Sequence, residues 1–284
     1  MSRPLREVTT FLAIAFSLAI GIAVAIPHAG INVLLSAFAP VAALLVITFT
    51  TTPRGKRKEL WGSFGLNRSG KRLWPFALGI PMLLATSAYG IAVALDVARL
   101  RDFDVTVSGF GSWTLNLGVT LVFMSVLFLS EELGWRAYML PRVQQLTSRR
   151  RAAVVTGFVH GCFHLPLALI ATTYDQHGSR WLIAPVMVAV ITAGGIFYAY
   201  LWDRSHSVWP VAIAHGAVNV AFGLGAGAVV ASSQADLAYV AGEGGIATFV
   251  VVGVTAAVLL AKARVWRADT DVPATPDGAL EPVA

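Results

Sequence analysis

The chain has 284 residues, of which 56% are hydrophobic and 13% are charged, and its formal net charge is +6. An average soluble protein carries roughly 25% charged residues. The composition therefore excludes an ordinary soluble enzyme, a disordered regulator and a nucleic-acid-binding protein. The single cysteine, Cys162, excludes an intramolecular disulfide and a cysteine-based zinc cluster. These features indicate a membrane protein.

The charged residues are separated by long stretches that contain no Asp, Glu, Lys or Arg. A membrane-spanning helix needs about 20 apolar residues, so most of these stretches fit one crossing. The first is long enough for two, with a turn at 27–30. We predict an all-α, polytopic membrane bundle of about eight transmembrane helices, the last and shortest near 244–262. The uncharged stretches are Val8–Pro53, Leu73–Leu95, Val105–Ser130, Ala152–Tyr174, Trp181–Trp202, Ser205–Ala235 and Gly244–Ala261.

The basic residues predict the orientation of the bundle, because Lys and Arg concentrate in cytoplasmic loops. With a cytoplasmic N-terminus, 18 of the 21 basic residues lie on the inner side, and only Arg99, Arg101 and Arg180 lie outside. We therefore expect a multi-pass protein of the plasma membrane with both termini in the cytoplasm. Six tryptophans near predicted helix ends are expected at the membrane interface: Trp74, Trp113, Trp135, Trp181, Trp202 and Trp209.

We predict one transmembrane domain over 1–267, followed by a disordered cytoplasmic tail over 268–284. The first helix has a second interpretation, because its basic start and the run Ala23-Val24-Ala25 resemble a signal peptide with its cleavage site. The basic and aromatic stretch 54–74 fits either an interfacial segment on the inner leaflet or a solvated loop.

Two adjacent acids, Glu131 and Glu132, follow directly on a long apolar helix. A charge near the bilayer is costly and is a functional candidate for that reason. Glu132 and Arg136 have the i, i+4 spacing of a helical ion pair, which would leave Glu131 free for chemistry. The alternative is that both glutamates are interfacial charges at the cytoplasmic end of the helix.

Two further polar pairs have the same i, i+4 spacing, His160 with His164 and His215 with Asn219, so each pair shares a helix face. Each is also compatible with hydrogen bonding inside a membrane bundle. Together with Glu131, however, these groups could meet in one water-accessible cavity. A carboxylate or imidazole can take a proton from water, and a donor can hold an oxyanion, so the set suffices for hydrolysis.

These residues resemble the CPBP intramembrane proteases, which include the type II CAAX prenyl endopeptidases and bacterial abortive-infection proteins. EELGWR at 131–136 matches the EExxxR motif, FHLPL at 163–167 is similar to the second motif, and HGAVN at 215–219 matches HxxxN. The resemblance covers about 110–225, with all three motifs in order. His160 departs from the pattern, since the family usually has Phe or Trp there. With Phe163, it is a possible pocket residue.

The resemblance implies an active site that opens toward the cytoplasmic side. In it, Glu131 would be the base that activates water, and His164 would orient or share the proton. The oxyanion would be stabilised by His215 and Asn219, while Glu132 and Arg136 would support the motif helix. The implied catalytic residues are Glu131, His164, His215 and Asn219.

Metal dependence stays open at this stage. No cofactor is firmly predicted, although a divalent metal such as zinc could be held by Glu131, His160, His164 and His215. The histidine spacing is similar to that of the zincin motif HExxH, but Gly161 stands where that motif has its glutamate.

The resemblance implies an intramembrane endopeptidase, whose partners would be the lipid bilayer and a membrane-embedded or lipidated peptide or protein substrate. Nucleic acid is not an expected partner. Two other classes remain: a non-catalytic scaffold or bacteriocin-immunity protein of the same fold, and a proton-coupled transporter. A transporter is the less favoured of the two, because no inverted repeat is evident in the sequence.

Overall fold

A computed structural model describes residues 1–102, 107–171 and 177–266. Within these residues the chain is almost entirely helical, which confirms the predicted all-α, polytopic membrane bundle. The predicted tail over 268–284 lies outside the described residues.

The N-terminal part supplies the first five helices. They are α1 (Arg3–Ala25), α2 (Ile31–Ala37), α3 (Ala39–Thr50), α4 (Arg57–Gly62) and α5 (Trp74–Ala94). Short 3-10 turns at Arg54–Lys56 and Lys71–Leu73 lie on either side of α4.

The remaining helices are α6 (Val107–Glu132), α7 (Leu140–Gln144), α8 (Arg149–Phe163), α9 (Arg180–Ser205), α10 (Trp209–Ala228), α11 (Gln234–Val240) and α12 (Ile246–Lys262). Two π-helical segments, Leu133–Met139 and Leu167–Ala171, follow α6 and α8, and a 3-10 turn occupies Arg264–Trp266. The short antiparallel strands β1 (Ala98–Leu100) and β2 (Val229–Ala231) pair Ala98 with Ala231. They join the ends of α5 and α10.

Seven helical stretches within the described residues are long and apolar enough to cross a membrane. They are Arg3–Ala25, Ile31–Thr50, Lys71–Ala94, Phe110–Gln144, Arg149–Ala171, Arg180–Ser205 and Trp209–Ala228. The eighth predicted crossing is α12, an apolar helix of 17 residues that is shorter than the other seven. At 1.5 Å per residue it is about 26 Å long. The described residues thus contain seven helices long enough to span a membrane and one shorter apolar helix.

Small residues let α8 and α9 pack with their backbones in close approach. A Cβ atom added at Gly157 would lie 2.5 Å from the carbonyl oxygen of Thr192, and one at Gly161 would lie 2.8 Å from that of Val188. Glycines spaced four apart are a common device for packing membrane helices. Because His160 lies between these two glycines, the contact also fixes its position in the bundle.

The packing of α1 bears on the two interpretations of the first helix. Phe11 is fully buried and contacts Trp135 and Tyr138, with ring centroids 5.4 Å apart in both cases. Arg142 also donates to Glu7 at 2.6 Å. These contacts favour α1 as a part of the bundle, because its removal would open the core beside the EExxxR motif.

The stretch 54–74 packs on protein as well as facing outward. Phe64 is fully buried, Trp61 donates to the hydroxyl of Thr48 at 3.1 Å, and Trp209 donates to the carbonyl of Leu66 at 2.9 Å. The six tryptophans differ in burial. Trp74, Trp113 and Trp181 are exposed, but Trp135 and Trp202 are buried inside the protein, where they fill space between helices.

Candidate active site

The EExxxR motif lies where α6 changes from α- to π-helical geometry. Every residue from Ser130 to Leu140 is buried, although the segment contains two glutamates and an arginine. The hydroxyl of Ser130 donates to the carbonyl of Ala37 at 2.7 Å, which ties this end of α6 to the end of α2. Single π-helical turns inside α-helices occur frequently at functional sites.

The predicted ion pair between Glu132 and Arg136 is present, and it reaches beyond its own helix. Nη1 of Arg136 donates to both carboxylate oxygens of Glu132 at 3.0 Å. Oε1 of Glu132 also lies 2.7 Å from Nδ1 of His215, and Nη1 of Arg136 lies 3.0 Å from Nδ1 of His160. The pair therefore connects the motif with α8 and α10.

Glu131 has a direct partner in His160. Its Oε2 lies 2.9 Å from Nε2 of that ring, and both side chains are buried. Nε2 of His164 lies 3.4 Å from the same ring nitrogen. The ring of His160 stacks on Trp135 with the centroids 5.1 Å apart. The residue that departs from the family pattern thus occupies the centre of the cluster.

Two aromatic rings hold His215 in place. Phe128 stacks on it with a centroid distance of 4.0 Å and an interplanar angle of 12°, and Tyr198 stacks at 5.3 Å. Asn219, one turn further along α10, donates from Nδ2 to the carbonyl of His215 at 3.1 Å. The guanidinium of Arg136 lies 4.8 Å above the ring of Tyr198.

One cavity of about 430 Å³ brings most of the candidate residues together. Glu132 and Arg136 are not among its lining residues and are fully buried behind it. The rest of the wall is mainly apolar and extends as far as Gly30 and Glu243, in the loops that precede α2 and α12. The candidate residues that line the cavity are Glu131, His160, Phe163, His164, His215 and Asn219.

A metal site is the alternative use of this cluster. Glu131, His160 and His164 each offer one ligand atom, and these atoms lie within 4.8 Å of one another. His215, which the sequence added to the set, directs Nδ1 to Glu132.

The contact of His160 with Arg136 argues against metal binding by this cluster. A neutral imidazole that binds a metal through Nε2 carries its proton on Nδ1. In His160 that proton would point at a guanidinium nitrogen 3.0 Å away, which can only donate. The donor set therefore does not fit a three-ligand metal site while Arg136 is in place.

Sequence reasoning did not find three aromatic residues that shape the site, Phe128, Trp135 and Tyr198. Trp135 was expected at the membrane interface, and the other two lie in uncharged stretches without a motif. Only the position of Phe128 could have been predicted from the sequence, because Phe128 is three residues before Glu131 and so lies near it on the same helix face. Tyr198 comes from α9, and its approach is a tertiary contact that spacing does not encode.

The geometry agrees with what comparison with known proteins shows. Residues 112–221 match the family model described as "Type II CAAX prenyl endopeptidase Rce1-like". The matched segment contains all three motifs, and the match confirms the resemblance seen in the sequence and supports a CAAX-type intramembrane protease fold. No curated protein matches the chain.

Proposed function

We propose that this chain, whose residues 112–221 match the type II CAAX prenyl endopeptidase family model, hydrolyses a peptide bond in a membrane-associated substrate. One observation carries the proposal: a single, mainly apolar cavity is lined by Glu131, His164, His215 and Asn219. A carboxylate, imidazoles and an amide around one space are the groups that water-mediated hydrolysis requires.

Glu131 is the proposed base. Its carboxylate takes a proton from a water molecule as the water oxygen attacks the carbonyl carbon of the scissile bond. The same proton then passes to the departing amine, so that the carboxylate is restored and a hydroxyl is added to the new carboxyl end. His164, whose Nε2 lies 3.4 Å from that of His160, is placed to orient the water or share its proton.

The oxyanion of the tetrahedral intermediate needs donors, and His215 and Asn219 are proposed to supply them. Since Nδ1 of His215 faces the Glu132 carboxylate at 2.7 Å, this nitrogen donates. A ring that also carries a proton on Nε2 has a second donor, which can meet the oxyanion.

The lining of the cavity supports an apolar, membrane-embedded or lipidated substrate. The wall of the cavity is mainly apolar and includes Leu, Val and Phe side chains, for example Leu127, Val190 and Phe222. A soluble polar peptide would lose its hydration there without gaining hydrogen bonds. By the distribution of basic residues, we place the reacting groups in the cytoplasmic half of a plasma-membrane protein.

The test uses the full-length chain reconstituted in liposomes with a fluorogenic farnesylated C-terminal peptide as the first probe. Glu131→Gln keeps the size of the side chain but removes the base. We expect it to lower the cleavage rate by about 10²- to 10⁴-fold while the thermal unfolding midpoint stays near that of the unmodified chain. The matched control is Glu59→Gln, because the Glu59 side chain is 74% exposed outside the cavity; its rate should not change.

A second assay covers substrates other than prenylated peptides. Membrane peptides from cells that make the unmodified chain, or its Glu131→Gln variant, are compared by mass spectrometry. Precursors should accumulate, and new peptide ends should disappear, only with the variant. Equal rates and equal peptide profiles for both chains would overturn the proposal and favour a non-catalytic role for the same fold.

A further inference from the structure

The side chain of His160 connects Arg136 to Glu131 through its two ring nitrogens. Nδ1 lies 3.0 Å from Nη1 of Arg136, and Nε2 lies 2.9 Å from Oε2 of Glu131. The residue is 1% exposed, and Trp135 stacks on its ring. The imidazole is therefore held by contacts at its face and at both nitrogens.

The chemistry of the neighbours assigns a role to each nitrogen. A guanidinium nitrogen has only hydrogens to offer, so Nδ1 of His160 must accept from Arg136. A neutral imidazole with a free electron pair on Nδ1 carries its proton on Nε2. That proton points at Oε2 of Glu131, and the contact is a hydrogen bond from His160 to the carboxylate.

We propose that His160 is a positioning residue, held by Arg136 in the tautomer with Nε2–H, that orients the carboxylate of Glu131 for proton transfer and does not act as a metal ligand. The inference rests on the proposed function and goes beyond it. With one carboxylate oxygen engaged by His160, the rotation of the carboxylate is fixed, and the second oxygen is presented to water. Orientation of this kind contributes to rate because a small misplacement of a reacting group can cost about 10²-fold.

The proposal gives Arg136 a second task. Its bonds to Glu132 hold the guanidinium, and the guanidinium in turn selects the tautomer of His160. The three motif segments are thereby coupled, since Glu132 also contacts His215. A phenyl ring at position 160 would neither accept from Arg136 nor donate to Glu131, and an indole ring has one N–H donor but no acceptor for Arg136.

Three chains test the proposal in the liposome assay: the unmodified protein, His160→Phe and His160→Gln. The amide of glutamine can present its oxygen to Arg136 and its nitrogen to Glu131. We expect His160→Phe to lower kcat by about 10- to 100-fold with little change in KM, because orientation and not binding is lost. His160→Gln should recover most of kcat. A merely space-filling role predicts the opposite order, with phenylalanine tolerated better than glutamine.

The control is Thr156→Val, one turn earlier on α8. Thr156 is buried but does not line the cavity, and the replacement keeps its shape. Its kcat should equal that of the unmodified chain, which would show that the loss in His160→Phe is specific to the site. Thermal unfolding of each chain identifies variants that fail to fold.

Two measurements remain decisive even if a variant is unstable or the substrate is wrong. Nitrogen-15 NMR of the full chain with labelled histidine, with the signal of His160 identified by its absence in His160→Gln, should show a protonated Nε2 and an unprotonated Nδ1. Elemental analysis of protein purified without chelator should give the same zinc content for the unmodified chain and for His160→Phe.

The inference is overturned by a protonated Nδ1, by one zinc per chain that is lost in His160→Phe, or by full kcat in His160→Phe. In the last case an inactive Glu131→Gln variant would leave the proposed function standing. An active Glu131→Gln variant would overturn the proposed function, whereas the NMR result would still report the tautomer of His160.

Discussion

The two parts of the long helical stretch from α6 to α7 use side chains in opposite ways. Over the first part, large apolar residues spaced three or four apart are exposed: Leu115, Val119, Val122 and Val126. Over the second part, Ser130 to Leu140, all side chains are buried, and the charged ones lie among them. A soluble helix would show the reverse arrangement.

The difference shows how a membrane protein stabilises charged side chains in its interior. Lipid solvates the apolar face of the first part, so this face needs no protein partner. The charges of the second part have no such solvent and are stabilised by each other and by side chains of α8, α9 and α10. The second part is therefore where substitutions should be costly, and the first is where they should be tolerated.

The largest effect on stability is expected for Arg136→Met. It removes the cation that both Glu132 and His160 contact and leaves the fully buried Glu132 carboxylate without its guanidinium partner. Breaking a buried pair costs about 3–5 kcal/mol. The free energy of unfolding, measured in mixed detergent micelles, should fall by this amount.

A matched control exists in Arg3→Met. Arg3 and Glu7 form an ion pair with the same i, i+4 spacing, but the Arg3 side chain is 82% exposed. Exposed pairs contribute little, so no measurable loss is expected. Equal losses in the two variants would contradict the contrast between buried and exposed charges.

A smaller effect is expected for Gly134→Ala in the buried part. The added Cβ would lie 2.6 Å from the Cβ of Pro40 and 2.9 Å from the fully buried ring of Phe11. Overpacking of this kind costs about 1–3 kcal/mol. Thermal unfolding should show a lower midpoint.

Gly118→Ala tests the same substitution in the exposed part of the helix. A Cβ at Gly118 meets nothing within 4 Å among the described residues. Alanine is the better helix former by up to about 1 kcal/mol, so the midpoint should stay or rise. A fall equal to that of Gly134→Ala would show that this face of α6 is covered by another molecule.

The smallest effect is expected for Val122→Leu. Val122 is 67% exposed, and leucine is as soluble in lipid as valine. The free energy of unfolding should change by less than about 0.5 kcal/mol, and the cleavage rate of the farnesylated probe should not change. A large loss of either would indicate that the face is a protein contact.

The sequence predicted the parts of the site that depend on spacing along one helix. Glu132 and Arg136, four residues apart, form the expected pair. The contact between Glu131 and His160 joins residues 29 positions apart in sequence, and no helical period relates them. The distinction between the two glutamates was predictable in outline, but the pairing of Glu131 with His160 and of Glu132 with His215 was not.

The sequence by itself determined that the chain crosses a membrane many times, because backbone groups in lipid must be satisfied within helices and charges are excluded from them. Its three motifs carry the resemblance to the CPBP intramembrane proteases, and residues 112–221 match the type II CAAX prenyl endopeptidase family model. Only the tertiary structure decided the π-helical segment at Leu133–Met139 and the central place of His160. Each of these depends on how neighbouring helices pack. The free energy of such contacts arises between residues that are distant in sequence, so the sequence of a single segment does not predict it.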